Sequence, residues 1–252
     1  MRIILFGFFI TFINLISTAH ATEATQKIVV SCDDWKGYCN KDGSGWYLDI
    51  LREIYAAEHI DVELKSEPFV RGLESVKSGS ADALLDGYDI PERQKDYAIP
   101  TIRIDNEQTV VVFNPTTHYD PQRPIAGRVG YVRGYAYQEH FNSSMKIIEL
   151  NRPRQGIEML THKRIDYFMD DFMEALQAIS ESHMKQEDFL FGRVDTKPLY
   201  VLFTKNQRGK TLADLYDKGI VILYKNGRLK MLGKKYQIPE YSVYYPEIEQ
   251  PK

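Results

Sequence analysis

The feature that most narrows the folds open to this chain is a short internal echo. Gly72-Leu73-Glu74 is followed, ten residues after the glycine, by Asp82 and then by Asp86; Gly156-Ile157-Glu158 is followed at the same offsets by Asp166 and Asp170. Each copy has a proline a few residues upstream, Pro68 and Pro153. Each reads as a helix, a turn, an aspartate, three apolar residues and a second aspartate. Helix–turn–strand units share composition, so coincidence stays open as a reading. The echo fits a chain of two similar α/β lobes, each presenting the C-terminal ends of its strands, the edge at which open α/β sheets bind ligands.

The remaining periodicities agree with such lobes. Lys27 to Ser31 is β-rich, and Tyr47, Ile50, Leu51 and Ile54 fall on one helical face. Ile60, Val62 and Leu64 alternate as a half-buried strand does. A helix over 70–78, ended by Gly79, and short strands over 83–85 and 109–113 complete a first run. The pattern then restarts, with strands over 128–132, 145–150 and 167–169. Helices are predicted over 136–141, 154–162 and 172–180. Alternating strands and helices argue for α/β architecture with largely parallel sheets. An amphipathic helix carries Leu212, Leu215, Tyr216, Ile220, Leu223 and Tyr224; a shorter one runs from Gly227 to about Tyr236. The Tyr- and Pro-rich tail from Pro239 is expected on the surface.

The N-terminus reads as an export signal. Met1-Arg2 is followed by an apolar run from Ile3 to Ile16 and by Ala19-His20-Ala21, a signal-peptidase pattern. The run is shorter than the roughly 20 residues of a membrane span; an uncleaved anchor is the competing reading. Cleavage after Ala21 leaves 231 residues with a net charge of −4, so nothing marks a nucleic-acid partner. In an exported chain the two cysteines, Cys32 and Cys39, are candidates for a disulfide closing a small loop, with reduced thiols as the alternative. Without a nearby histidine pair they make a poor zinc site.

Taken together, several segments resemble the family 3 periplasmic solute-binding proteins, the amino-acid-binding group of ABC importers. The segments are Val29-Val30-Ser31-Cys32-Asp33, Gly45-Trp46-Tyr47-Leu48-Asp49-Ile50, Lys77-Ser78-Gly79-Ser80-Ala81-Asp82-Ala83 and Ile90-Pro91-Glu92-Arg93-Gln94, the last followed by Tyr97-Ala98-Ile99-Pro100. In the second half they are Ala126-Gly127-Arg128-Val129-Gly130, Arg164-Ile165-Asp166 through Asp171, and Lys225-Asn226-Gly227 to Lys235-Tyr236. The resemblance implies a two-lobed type II periplasmic-binding-protein fold with a central cleft. It implies a discontinuous first lobe, 22–103 plus 199–252, a second lobe over 108–195, and two crossing hinge strands near Ile104 and Pro198. It also implies a monomer that binds a small ligand reversibly, with no catalytic residue, metal or cofactor.

The resemblance assigns ligand contacts residue by residue. Arg93 pairs with a ligand carboxylate, for which a planar guanidinium fork is suited; a surface arginine at a helix start is the bland alternative. Asp171 receives an ammonium group, with Asp170 as its neighbour should the register slip; a helix N-cap before Phe172 is the other role open to it. Asp33 touches the ligand side chain, and Trp35 and Phe69 sandwich it, although Phe69 also suits plain core. The chain departs from the family where a Ser/Thr pair is usual: Gly87-Tyr88-Asp89-Ile90 is one residue short, and Tyr88 and Asp89 replace small hydroxyls. Arg133-Gly134-Tyr135-Ala136-Tyr137 likewise replaces a small turn. Tyrosines there narrow the pocket or stack on an aromatic or cationic ligand, and Asp89 favours a cation. Arg71 is a second basic candidate near the cleft.

The chain has no nucleophile elbow, no phosphate-cradling loop and no His-Glu-x-x-His. His59, His118, His140, His162 and His183 are scattered without ligand spacing. The expected function is therefore periplasmic binding of a small polar solute, an amino acid or related zwitterionic or carboxylated compound, for delivery to a membrane permease complex. A stand-alone sensor facing a membrane receptor and a dehydratase-type cleft enzyme are the alternatives, since fold alone does not decide function.

Overall fold

The computed structural model describes residues 26–249; the expected signal at 1–21 lies outside them. Nine strands form one sheet in the order β2-β1-β3-β9-β5-β8-β6-β7, with β4 paired to β9. At one end β1 (Gln26–Cys32) pairs in parallel with β2 (Ile60–Ser66) and β3 (Ala83–Gly87). At the other, β6 (Gly127–Val132) pairs in parallel with β7 (Met145–Leu150) and β8 (Tyr167–Asp171). Two long strands join the ends. β5 (Asp105–Phe113) and β9 (Leu190–Thr204) run antiparallel from Asp105 opposite Leu199 to Phe113 opposite Leu190. The short β4 is Tyr97–Ala98.

The internal echo has a structural cause. Its helices are α2 (Phe69–Lys77) and α4 (Pro153–Thr161). A Cβ on Gly72 would stand 2.6 Å from Leu84 and Ser31, and one on Gly156 would stand 2.4 Å from Phe168. Each helix therefore lies on its strands at a distance that only glycine permits. The first aspartate of each copy ties the next strand to its parallel neighbour: Val29 N donates to Asp82 at 2.9 Å and Arg128 N to Asp166 at 2.8 Å. The second aspartate, Asp86 or Asp170, is the last residue but one of its strand, at the edge between the two halves.

Helix α1 (Trp46–Ala56) buries Tyr47, Ile50, Leu51 and Ile54, the expected face. Its entry needs Gly45, because a Cβ there would lie 2.4 Å from the Tyr38 carbonyl oxygen at φ +140. Helices α3 (Pro91–Asp96), α5 (Phe172–Glu181), α6 (Gln207–Lys225) and α7 (Arg228–Tyr236) complete the layers. The Asn206 side chain caps α6 by accepting from Gly209 N.

Two expectations are corrected. The helix predicted over 136–141 is only a 3-10 turn, Gln138–His140, because Tyr137 is fully buried with its hydroxyl donating to Glu107 at 2.8 Å. The C-terminal tail is not a surface strap. After a 3-10 turn (Glu240–Val243) and helix α8 (Pro246–Glu249), Tyr245 is completely buried and donates to the Ile104 carbonyl at 2.6 Å. The Arg103 guanidinium lies 4.3 Å from the Tyr245 ring centroid and pairs with Glu247 at 2.9 Å. The tail thus braces β5 where the chain crosses between the halves of the sheet.

Candidate functional site

The edges of the two sheet halves face one another across a cleft. At its centre is a cavity of about 20 Å³, lined by the aromatics Trp35, Phe69, Tyr88 and Tyr135 and the acids Asp86, Glu107, Asp171 and Glu174. That volume holds little more than one water-sized group, so a larger solute enters only if the lobes part or Tyr135 swings aside. Trp35 is buried and stacks on Tyr38 with centroids 4.0 Å apart. Phe69 meets Tyr135 edge-on at 5.6 Å across the cleft.

Each acid arrives by a different local device. Asp86 has φ +72, a left-handed conformation at the end of β3, beside an irregularity in the β3–β9 register. Asp and Asn tolerate this region better than other residues with side chains, and here it turns the carboxyl into the cleft. Glu107 rises from β5 at the crossing and accepts from Tyr137 and Thr109, both at 2.8 Å, and from Tyr88. Tyr88 follows β3 and Tyr137 follows β6, so one carboxyl ties both halves of the sheet. Asp171 caps α5: Met173 N and Glu174 N donate to its Oδ1 at 2.7 and 3.1 Å, and Gln108 N donates to Oδ2 at 3.1 Å. Glu174, in the first turn of α5, accepts from the Tyr135 hydroxyl at 2.8 Å. Behind it Asp170 is fully buried, with Oδ1 accepting from Asp171 N and Oδ2 without a partner.

So many carboxyls in a dry space cannot all ionise without compensation. Burial first, then the charge of its acidic neighbours, pushes Asp86 well above the usual carboxylate range. Burial and Glu174 do the same to Asp170; burial and Glu107 do so to Asp171. Burial lifts Glu174 to about 7, against the hydrogen bond from Tyr135 and the closeness of the Asp170 carboxyl, with which it can share a proton. Burial also raises Glu107, although three hydroxyls and Lys197 favour its charged form. Lys197 itself ion-pairs with Glu139 and lies 5.5 Å from the Tyr88 ring centroid. Glu139, His140 and Asp195 come within 4.8 Å of one another, but the Lys197 ion pair already engages the first of them. The cavity is thus a cage of aromatic faces and partly protonated carboxyls, an environment in which a cation gains both from the rings and from displaced protons.

The structure brings together Trp35, Phe69, Tyr88, Tyr135 and Asp171 from the residues singled out in the sequence, and leaves three outside. Asp33 is exposed; its oxygens accept from Asp34 N and, at 3.3 Å, from Phe69 N, so it steadies the start of α2. Asp89 is exposed and accepts from Gln94 Nε2 at 2.8 Å. Arg93 lines a separate interlobe cavity of about 680 Å³. There it donates from Nη2 to the Gly134 carbonyl at 3.1 Å, with its Cζ 5.5 Å from the Phe69 ring centroid. It therefore bridges the two halves of the sheet behind Phe69 rather than facing the acidic cage. Cys32 and Cys39 are buried, hydrogen-bonded thiols, and burial raises the Cys32 thiol well above its usual range. The sequence reading missed Asp86, Glu107 and Glu174. The echo had marked Asp86 as the counterpart of Asp170; nothing local marked the other two.

A two-lobed scaffold joined by paired strands, with a caged cleft between the lobes, defines a binding protein that folds around a small solute. The chain belongs to the bacterial extracellular solute-binding proteins, family 3, whose pattern matches residues 28–239. Solved structures with the same fold include an ABC uptake transporter substrate-binding protein from Streptococcus pneumoniae with bound histidine. It is 16% identical, with a TM-score of 0.73 over 86% of this chain and 95% of that one. An ancestral arginine-binding protein bound to arginine is 17% identical, with a TM-score of 0.69 over 83% of this chain and 97% of that one. A histidine kinase sensor domain with similarity to periplasmic binding proteins is 16% identical, with a TM-score of 0.71 over 83% and 95%. No curated protein sequence matches the chain.

Proposed function

We propose that this solute-binding protein works in the periplasm, exported by residues 1–21, and takes a small solute bearing a positive charge, an amino acid or a related amine. Its lobes, 22–103 with 199–252 and 108–195, close on the solute by bending where β5 and β9 cross, and the closed form presents it to an ABC-type permease. The chain does no chemistry on the solute and acts as a monomer. The observation that carries this reading is the ring of Asp86, Glu107, Asp171 and Glu174 set among four aromatic side chains. Histidine and arginine are the ligands held by two of the similar structures. Arg93, just behind Phe69, supports closure and becomes available to a solute carboxylate when Gly134 moves away.

The test is a thermal-shift screen of the chain, refolded free of carried-over solute, against amino acids, amines, small carboxylates and short peptides. A ligand at a hundred times its Kd stabilises the folded state by about 2.7 kcal/mol. A strong response to one cationic amino acid or amine is expected. Silence across the panel would overturn the import reading. It would favour a sensor role, for which the sensor domain of the same fold is the precedent.

A further inference from the structure

The cleft contains one acid whose surroundings the solute-binding reading leaves unexplained. Asp171 occupies the position expected to receive an ammonium group, yet both of its oxygens are already engaged by backbone N–H donors, Met173, Glu174 and Gln108. Redirecting it would uncap α5 and leave the first backbone N–H groups of that helix without their acceptor. Glu174 is differently placed. Its one side-chain donor is the Tyr135 hydroxyl, on a loop from the opposite side of the cavity, and no backbone group holds it. Behind it stands Asp170, fully buried, with an oxygen that has no partner. Two carboxyls this close, in so dry a place, share a proton rather than carry two charges. Glu174 also lines a second, open cavity of about 290 Å³, so it separates the cleft from solvent.

We propose that Glu174, and not Asp171, receives the positive end of the solute, and that the proton it shares with Asp170 leaves to solvent as the solute enters. The assignment rests on the solute-binding reading. In the exchange the solute's N–H donors replace the Tyr135 hydroxyl on Glu174, Tyr135 turns its ring onto the cation, and the departing proton is taken up by buffer. Charge balances, because one cation enters and one proton leaves. The groups that face Glu174 support this direction. From the cleft side they are Asp86 at the end of β3, Glu107 on β5, and Asp170 and Asp171 on β8, all acidic. On the solvent side are Lys41, Arg152 and Arg154 with Asp33, Asp34 and Glu181. There Lys41 already pairs with Asp34 at 3.2 Å and Arg154 with Glu158 at 2.8 Å. Burial holds the proton on Glu174 up to about pH 7, so the exchange falls in the neutral range.

The consequence is a binding affinity linked to pH through one residue. Isothermal titration of the full chain with L-arginine, L-lysine, L-histidine and cadaverine, and with L-glutamate and L-glutamine as comparators, reads it directly. Each titration is run at pH 6 and pH 8 in two buffers of different protonation heat. For the cation that binds, about one proton should be released at pH 6. Its Kd should tighten about tenfold for each unit that the pH rises toward 7. Glu174→Gln should weaken it at least thirtyfold at pH 8 and abolish both the release and the pH dependence, while Asp171→Asn, even where it weakens binding, leaves the proton count in place. A Glu174→Gln thermal midpoint close to that of the parent separates lost recognition from lost folding, and the proton count on the unaltered chain needs no variant. A cation bound without proton release, or bound equally well by Glu174→Gln, would overturn the assignment. So would binding of L-glutamate or L-glutamine alone, which leaves the solute-binding reading standing; binding of no probe removes both.

Discussion

Replacing Asp105 with asparagine should make the protein more stable at neutral pH. Asp105 opens β5 where the chain crosses between the lobes and is 2% exposed. It accepts from the Tyr47 hydroxyl at 2.9 Å and from Asn106 N at 2.6 Å, and the Ser242 hydroxyl, buried without another partner, faces it. Burial outweighs these donors and lifts the carboxyl from 3.8 to about 6. The folded state therefore holds this proton more tightly than the unfolded chain. The stability it contributes is fully present below pH 3.8, declines as pH rises, and is gone above about pH 6. At 1.36 kcal/mol per pKa unit the decline amounts to about 3 kcal/mol. Asparagine does not titrate, so Asp105→Asn loses no stability over this range. The new amide keeps one oxygen for Asn106 N and puts its NH2 where Oδ2 stood, from which it donates to the Tyr47 hydroxyl, as the protonated acid does. Urea denaturation at half-unit intervals from pH 4 to 8 should show variant and parent together near pH 4. The variant should then lead by about 3 kcal/mol above pH 6. A difference that does not vary with pH, or a parent that is the more stable at pH 8, would refute the reasoning from burial.

Three other outcomes follow from the cleft. Arg93→Ala removes the donor to the Gly134 carbonyl and the cation over Phe69; at about 1.5–3 kcal/mol for a charged hydrogen bond the Kd for the solute should rise about ten- to a hundredfold by calorimetry. An unchanged Kd would remove Arg93 from closure. Gly134→Ala puts a Cβ 2.6 Å from Val70 Cγ2 at φ +91, so small-angle scattering with saturating solute should show a larger radius than the parent gives. We further propose that Cys32 and Cys39 are joined in the exported protein. Thiol titration in denaturant should find none in periplasmic material, and reduction should cost about 2 kcal/mol for so short a loop; two titratable thiols would exclude the bond.

Which of these features the sequence announced follows the range of the interaction behind each. The face of α1, the strand of β7 and the cap of α5 come from contacts within a few residues, and a periodic pattern or a capping residue carries them. The echo was legible because one glycine and two aspartates do the same local work in each lobe: helix against strand, strand tied to strand, carboxyl at the strand end. What failed was long-range. The segment 136–141 has the composition of a short helix, but Glu107 draws Tyr137 into the crossing and leaves a 3-10 turn. The tail has the composition of a surface strap, but Arg103 and the Ile104 carbonyl give Tyr245 a buried seat.

The site divides along the same line. By itself the sequence determined that there are two α/β lobes, that Trp35, Phe69, Tyr88 and Tyr135 belong near their shared edge, and that an acid caps the helix after β8. Only the tertiary structure decided which charges look into the cavity. Asp33, Asp89 and Arg93 sit in motifs that suggest ligand contact, yet each turns to a neighbour close at hand: Phe69 N, Gln94 and the Gly134 carbonyl. Glu107 and Glu174 sit in no motif. They line the cage because a crossing strand and the first turn of a capped helix carry them there from different parts of the chain. Burial then alters their protonation, and burial is a property of the assembled lobes that no run of residues encodes locally.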